Sequence, residues 1–321
     1  MTKYILYGAG HIGITVMRYV GKERIELFCD EKKCGDCIEG VKVISPDKLG
    51  QQCGNNTVII AVSDPVYIVQ ITKFLVKQNI EFLFWKDLVD SIIRDEGNSF
   101  NQDCKRESFL YSPDKEFIIS GDRYGNAASI DSYFWQDLWA AKMIYHRRPE
   151  VHYDIGSRVD GFITHLLSFD QIVKQIDIRP LDVDVSGYGF VQADATNLNG
   201  IENESIKSIS ALCSLEHFGL GRYGDDLDPE GCFKAFRAIQ RVLGRDGYAY
   251  ISVPIGKEHL EFNAHRVFSP QTIIESFDKM ELVEFSCCYC ATIERDIDIH
   301  KYDSWLELGG RRVGLFCFRK N

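Results

Sequence analysis

The sequence predicts an α/β protein built on two open, mainly parallel sheets, and three observations predict it. Short apolar runs alternate with segments of helical spacing through most of the 321 residues. The run 58–62, Val-Ile-Ile-Ala-Val, is apolar throughout, as in a parallel strand buried on both faces. Two glycine turns, beginning at Gly8 and Gly156, each follow a strand-like run.

The first half reads as strands over 4–7, 26–29, 41–44, 58–62 and 81–84. Helical spacing covers 12–20 and 66–78, and Ser45-Pro46-Asp47 can begin another helix. Helices between strands imply right-handed crossovers, hence a five-stranded parallel sheet. The polar stretch 95–103 reads as a linker, and 130–146 as an aromatic-rich helix ended by Pro149. The second half repeats the alternation, with strands over 151–155, 173–178, 190–193, 206–213 and 248–253 and helices over 162–167, 232–243 and 270–277. Two last strands, 282–288 and 313–318, have no strong helix between them and predict an antiparallel pair closing a seven-stranded sheet. The expected domains are 1–94 and 149–321, joined by 95–148 with its aromatic helix.

A net charge of −10 argues against nucleic acid and anionic membranes, which require clustered Lys and Arg. No apolar run is long enough to span a bilayer, and the N-terminal residues lack the apolar core of a signal peptide. A cytoplasmic location is expected. The eleven cysteines are odd in number and scattered, so reduced, mostly buried thiols are expected. Cys34-Gly-Asp-Cys37 has a zinc-knuckle gap but lacks a second such pair, and no metal site is expected.

The chemistry-bearing stretch is Val151-His-Tyr-Asp-Ile-Gly-Ser-Arg-Val-Asp-Gly161, with Asp177 and Asp194 at the ends of the next two strands. Glycine lets backbone approach a ligand, and a strand-end carboxylate can hold ribose hydroxyls. Further on come Cys213-Ser-Leu-Glu-His217, Arg245-Asp-Gly-Tyr-Ala-Tyr-Ile-Ser-Val-Pro254 and His265-Arg-Val-Phe-Ser-Pro270. In this order these motifs resemble the class I S-adenosylmethionine-dependent methyltransferases, from about Pro149 onward. The resemblance implies that family's three-layer, Rossmann-like sheet. It places Asp154, Gly156, Ser157, Asp177, Asp194, Ala195 and Cys213 at the cofactor, with Asp177 on the ribose and Asp194 on the adenine amino group. The chain departs from the family's acid-x-Gly-x-Gly-x-Gly turn at Arg158 and Asp160. Arg158 can pair with a cofactor carboxylate or block the pocket, and Asp160 can bind an ammonium. The runs 216–230 and 262–266 also resemble an uncharacterised methyltransferase-like bacterial family linked with surface polysaccharides.

His217 and His265 are the candidate bases, since imidazole titrates near neutral pH, and Glu216 can orient either. Each has a structural alternative: a capping or salt-bridging carboxylate, a hydrogen-bonded histidine. The loop 219–228 offers Arg222, Tyr223 and Asp225 to a polar substrate, or is solvated surface.

At the start, Tyr7-Gly-Ala-Gly-His-Ile-Gly13 sits between strand and helix. Gly8, Gly10, His11 and Ile12 would cradle a phosphate at the helix N-terminus, and Asp30 would take a ribose. With Gly40-Val-Lys-Val-Ile-Ser-Pro46 and Val58-Ile-Ile-Ala-Val-Ser-Asp-Pro65, this part resembles half-Rossmann modules of surface-glycan enzymes, implying NAD, a nucleotide-sugar or an empty docking module. The leading expectation is methyl transfer from S-adenosylmethionine to a small polar acceptor, a sugar or nucleotide-sugar. A non-catalytic scaffold and an NAD-dependent sugar-modifying enzyme are the alternatives.

Overall fold

The computed structural model describes residues 2–125, 130–302 and 312–321. Its contacts divide the chain into two units, Met1–Ala128 and Ser129–Asn321. Among the described residues no helix is long and apolar enough to cross a membrane.

The first unit is built from β1 (Tyr4–Tyr7), α1 (His11–Val20), β2 (Ile25–Cys29), β3 (Cys37–Ile38), β4 (Val41–Ile44), α2 (Pro46–Gln52), β5 (Thr57–Ile60), α3 (Pro65–Lys77), β6 (Phe82–Phe84) and α4 (Trp85–Asp103). The sheet order is β3-β4-β2-β1-β5-β6. Among the described residues it has six strands rather than five. Glu39 and Gly40 both take positive φ, 48° and 86°, which is the two-residue turn that joins antiparallel strands. That turn lays Cys37 and Ile38 back along Lys42 and Val41. Asp64 caps α3 by accepting from the Val66 and Tyr67 amides at 2.8 and 3.3 Å, with Pro65 at the first helical position.

The expected linker 95–103 is helical, the last part of α4. Its first turns are anchored by Trp85, Leu88, Val89, Ile92 and Ile93 against the core under α1. The polar continuation is held by Asn101, whose amide and carbonyl bond the backbone of Tyr111 at 3.0 and 2.7 Å. Tertiary contact outweighs the polar composition that suggested a loop.

The second unit contains α5 (Ser132–Arg147), β7 (His152–Ile155), α6 (Thr164–Leu167), β8 (Val173–Asp177), β9 (Tyr188–Gln192), β10 (Ile206–Leu212), α7 (Gly231–Val242), β11 (Leu243–Ile255), β12 (His259–Glu261), β13 (His265–Val267), α8 (Pro270–Ser276), β14 (Met280–Tyr289), β15 (Thr292–Glu294) and β16 (Arg312–Lys320). The main sheet runs β15-β14-β16-β11-β10-β7-β8-β9. Five parallel strands form one side, and β16 pairs antiparallel with both β11 and β14. Among the described residues the count is eight rather than seven, because β14 turns back into the three-residue β15. Strands β12 and β13 make a separate hairpin. The aromatic helix α5 packs on this sheet: Trp139, Ala140 and Ile144 share a core with Leu212, Tyr250, Leu315 and Cys317. The segment 95–148 is thereby divided between the two units.

Candidate functional site

Strand β7 ends in the glycine turn. Gly156 has φ of 74°, and a Cβ there would lie 3.3 Å from the Ser214 Cβ. The turn is held from beneath by Asp154, which is fully buried. Its carboxylate accepts from the Ser157 amide and hydroxyl, both at 2.9 Å, and from the Ser210 hydroxyl at 2.5 Å. Behind Ser210 stands His152, with Nε2 2.9 Å from Ser210 Oγ and Nδ1 2.7 Å from Ser208 Oγ. Ser210 spends its hydrogen on Asp154, so His152 Nε2–H must donate and Nδ1 accept from Ser208. Burial lowers the His152 pKa to about 3 and keeps the ring neutral. Burial also raises Asp154 to about 6, against the opposing pull of its hydroxyl and amide donors.

Above this turn, at the C-terminal ends of β7 to β10, lies a cleft of about 650 Å³. This is where parallel sheets bind ligands. Gly156, Arg158, Asp177, Asp194, Ala195 and Cys213 all line it. Asp154 is not among its described lining residues, and Ser157 and Asp160 face a second cleft instead. The walls between the carboxylates are apolar: Ile155, Ile176, Ile178 and Phe218.

The carboxylates have partners of their own. Asp177, whose side chain is 12% exposed, meets the Arg179 guanidinium bidentately at 2.8 and 3.0 Å and accepts from the Arg179 amide at 2.8 Å. Burial would raise the Asp177 pKa, but Arg179 outweighs it and the net shift is downward. The Arg179 guanidinium also lies 4.6 Å from the Tyr223 ring centre. Asp194 caps its own turn, accepting from the Thr196 amide at 2.8 Å and the Asn197 side chain at 3.0 Å. Arg158 and Asp160 pair with each other at 2.7 Å on the surface.

The second cleft, about 1290 Å³, shares Gly156, Arg158, Cys213, His217 and Tyr223 with the first. It gathers all three candidate catalytic groups. Glu216 is 2% exposed, and burial raises its pKa to about 8. Its Oε1 lies 3.6 Å from His217 Nε2. His217 Nδ1 lies 2.6 Å from the Ala264 carbonyl, which fixes Nδ1 as the donor and leaves Nε2 its lone pair. Burial, with Arg222 and His265 adding to it, lowers His217 to about 4. His265 pairs with Glu261 rather than Glu216, at 3.3 Å, directly across the β12–β13 hairpin. The Cys213 thiol is pushed well up by burial and by Glu216, which argues against a nucleophilic role. Arg222 donates to the Ala264 carbonyl at 3.0 Å, and Asp225 closes its own loop through the Gly219 and Tyr223 amides. No group of three or more His, Cys, Asp or Glu among the described residues is arranged to hold a metal ion.

In the first unit, Gly8 has φ of 118° and Gly13 packs so tightly that a Cβ would sit 2.0 Å from the Gly8 carbonyl oxygen. A Cβ on Gly10 would meet nothing within 4 Å. Gly10, His11 and Ile12 form the N-terminus of α1. Asp30 is bonded to its own chain: it accepts from the Ala9, Lys32 and Lys33 amides at 2.9, 2.9 and 3.2 Å. Cys34 and Cys37 are exposed while Cys29 and Cys53 are buried.

Six residues escaped the sequence reading. Arg179 stands two residues past the strand-tip acid. Glu261 faces His265 only once the hairpin forms. Asp137, in the second cleft, is raised to about 6 by burial. The His152, Ser208 and Ser210 set could have been found as polar residues at alternate positions in otherwise buried strands.

A family model described as Caenorhabditis protein of unknown function, DUF268, matches residues 193–303. That segment contains the runs 216–230 and 262–266. No curated protein matches the chain. Similar solved structures include Burkholderia thailandensis 1,6-didemethyltoxoflavin-N1-methyltransferase with bound 1,6-didemethyltoxoflavin and S-adenosylhomocysteine, at 17% identity and a TM-score of 0.39, covering 58% of this chain and 78% of that one. The YcgJ protein of Bacillus subtilis is similar at 15% identity and a TM-score of 0.42, covering 58% and 98%. A SAM-dependent methyltransferase of Methanosarcina mazei is similar at 15% identity and 0.39, covering 56% and 96%. At such identities and scores the likeness lends no residue role to this chain.

Proposed function

We propose that the second unit binds S-adenosylmethionine and transfers its methyl group to a small polar acceptor, a sugar or nucleotide-sugar of surface-glycan synthesis. The observation that carries this reading is the 650 Å³ cleft beyond the glycine turn, with Asp177 and Asp194 at successive strand ends and apolar walls between them. Its volume suits a nucleoside-sized ligand. The residues present fit such a group. Gly156 admits close approach of the ligand, Asp177 would hold ribose hydroxyls, and Asp194 with Ala195 would border the base. Arg158, which borders both clefts, would meet the charged amino-acid end, while Asp160 faces the second cleft.

When bound, the cofactor supplies an electrophilic methyl group on a good leaving group, so the protein's task is mainly alignment. His217 is neutral above about pH 4, and its Nε2 lone pair is available to a hydroxyl proton. A base so acidified is a weak one, and the His265–Glu261 pair is the better arrangement for deprotonation, a ring nitrogen beside an orienting carboxylate. Isothermal titration with S-adenosylmethionine and S-adenosylhomocysteine tests the reading: micromolar binding is expected, and binding of neither ligand would sink it.

A second reading, a non-catalytic scaffold, is favoured by the Arg179–Asp177 pair, which fills the ribose acid from within the chain. Failure of Arg179→Ala to restore binding to a silent wild type would support it. For the first unit, the open space at Gly10 supports a nucleotide such as NAD or a nucleotide-sugar, while the occupied Asp30 carboxylate weighs against a ribose there.

A further inference from the structure

The second cleft holds a polar atom with nothing to bond. Glu216 Oε2 is buried and has no hydrogen-bond partner among the described residues. Native folds rarely leave a buried oxygen this way without a reason. Glu216 lines the second cleft, so the missing partner can come from a ligand there.

The surroundings define that ligand's chemistry. Burial holds Glu216 up to about 8, with the Cys213 thiol, the chain's own amide and Arg222 offsetting only part of it. At neutral pH the group is a carboxylic acid, able both to donate and to accept. Beside it, His217 Nε2 offers a lone pair and no charge. Tyr133 presents a neutral phenol to the same cleft. An ammonium ligand would call for an ionised Glu216, and an anion would lie against an uncharged acid and a lone pair. A hydroxyl matches both neighbours, since it donates to one and accepts from the other. Tyr133, 59% exposed, adds a ring face suited to the C–H side of a sugar.

We propose that the second cleft binds a neutral polyhydroxyl group, a sugar ring, with one hydroxyl seated against Glu216 Oε2 and His217 Nε2. Glu216 is then a specificity-determining residue that selects the acceptor. Its role rests on the methyltransferase reading only in calling this sugar the acceptor.

The test is saturation-transfer NMR on the full chain with S-adenosylhomocysteine, using methyl α-D-glucopyranoside as probe and ethanolamine and inorganic phosphate as charged competitors. Wild type and Glu216→Gln, which keeps a donor and an acceptor, are expected to transfer saturation to the sugar. Glu216→Leu is expected to bind it at least tenfold more weakly. Tyr133→Ala, at an exposed position, is expected to weaken it severalfold and serves if Glu216→Leu does not fold. No sugar signal with wild type, equal binding by Glu216→Leu, or displacement by ethanolamine or phosphate would overturn the proposal. Calorimetry with S-adenosylhomocysteine separates the two claims: sugar binding without cofactor binding removes the methyltransferase reading and keeps the subsite.

Discussion

The two glycine turns share one plan and differ in what occupies the acid that follows. In the first unit Asp30 is bonded by three backbone amides, those of Lys32 and Lys33 in its own loop and that of Ala9 in the glycine turn, so its carboxylate is part of the turn's architecture. In the second, Asp177 takes one backbone amide, and its main partner is the half-exposed side chain of Arg179. Backbone donors cannot leave without unfolding the loop. A side chain can swing away and leave the backbone around it in place. The same motif therefore gives a fixed turn in one unit and a turn able to exchange partners in the other.

The contrast breaks first at the glycines. Gly13→Ala is expected to destabilise the first unit by about 3 kcal/mol, the upper end for overpacking, because its Cβ would fall 2.0 Å from a carbonyl oxygen. Urea unfolding reads this, and a loss under about 1 kcal/mol would show that the turn is soft. Asp177→Ala should lower affinity for S-adenosylhomocysteine about 10- to 100-fold, as expected for losing hydrogen bonds to a charged group. Unchanged affinity in calorimetry removes the ribose assignment.

A pH dependence comes next. Glu216 is raised from 4.5 to about 8, so the folded chain holds its proton more tightly than the unfolded one. Its contribution to stability is therefore greatest below pH 4.5 and falls as pH rises to about 8. Asp154 and Asp137 act in the same sense up to about pH 6. His217 and His152 are lowered from 6.5, so stability lost to them at low pH returns by pH 6.5. Above that, among these groups Glu216 alone remains, with a limiting slope of about 1.4 kcal/mol per pH unit. Glu216→Gln should flatten the fall; an equal slope in the variant would place the titration elsewhere. Arg179→Ala should raise affinity for S-adenosylhomocysteine by about threefold to tenfold, roughly 1 kcal/mol, if freeing Asp177 favours the ligand. Weaker binding would make Arg179 a ligand contact. Gly10→Ala should leave stability within about 0.5 kcal/mol, since its Cβ meets open space.

What the sequence made legible was periodic. Buried parallel strands such as β5 announce themselves as unbroken apolar runs, and most strands and helices were readable to within a few residues. Elements set by few residues or by distant contacts were not. Strand β3 depends on two positive φ angles at Glu39 and Gly40, and one of those residues is not a glycine. The end of α4 depends on Asn101 reaching Tyr111. At the site, motif order located Gly156, Asp177 and Asp194 around one cleft. It could not say that Asp154 points inward, that Arg179 covers Asp177, or that Glu261 rather than Glu216 faces His265. Those facts belong to side-chain directions and cross-strand register, which motif spacing does not encode.

The hydrogens between Ser208 and Asp154 all point one way, and His152 is the ring through which they pass. The two ring nitrogens are therefore chemically distinct, one carrying hydrogen and one bare. In isotope-labelled protein their resonances would form a widely split pair, and eight histidines keep such a spectrum sparse. If the glycine turn shifts when a ligand arrives, Asp154 loosens its hold on Ser210 and the splitting narrows. A residue that lines neither cleft thus serves as the molecule's own indicator of what happens above it.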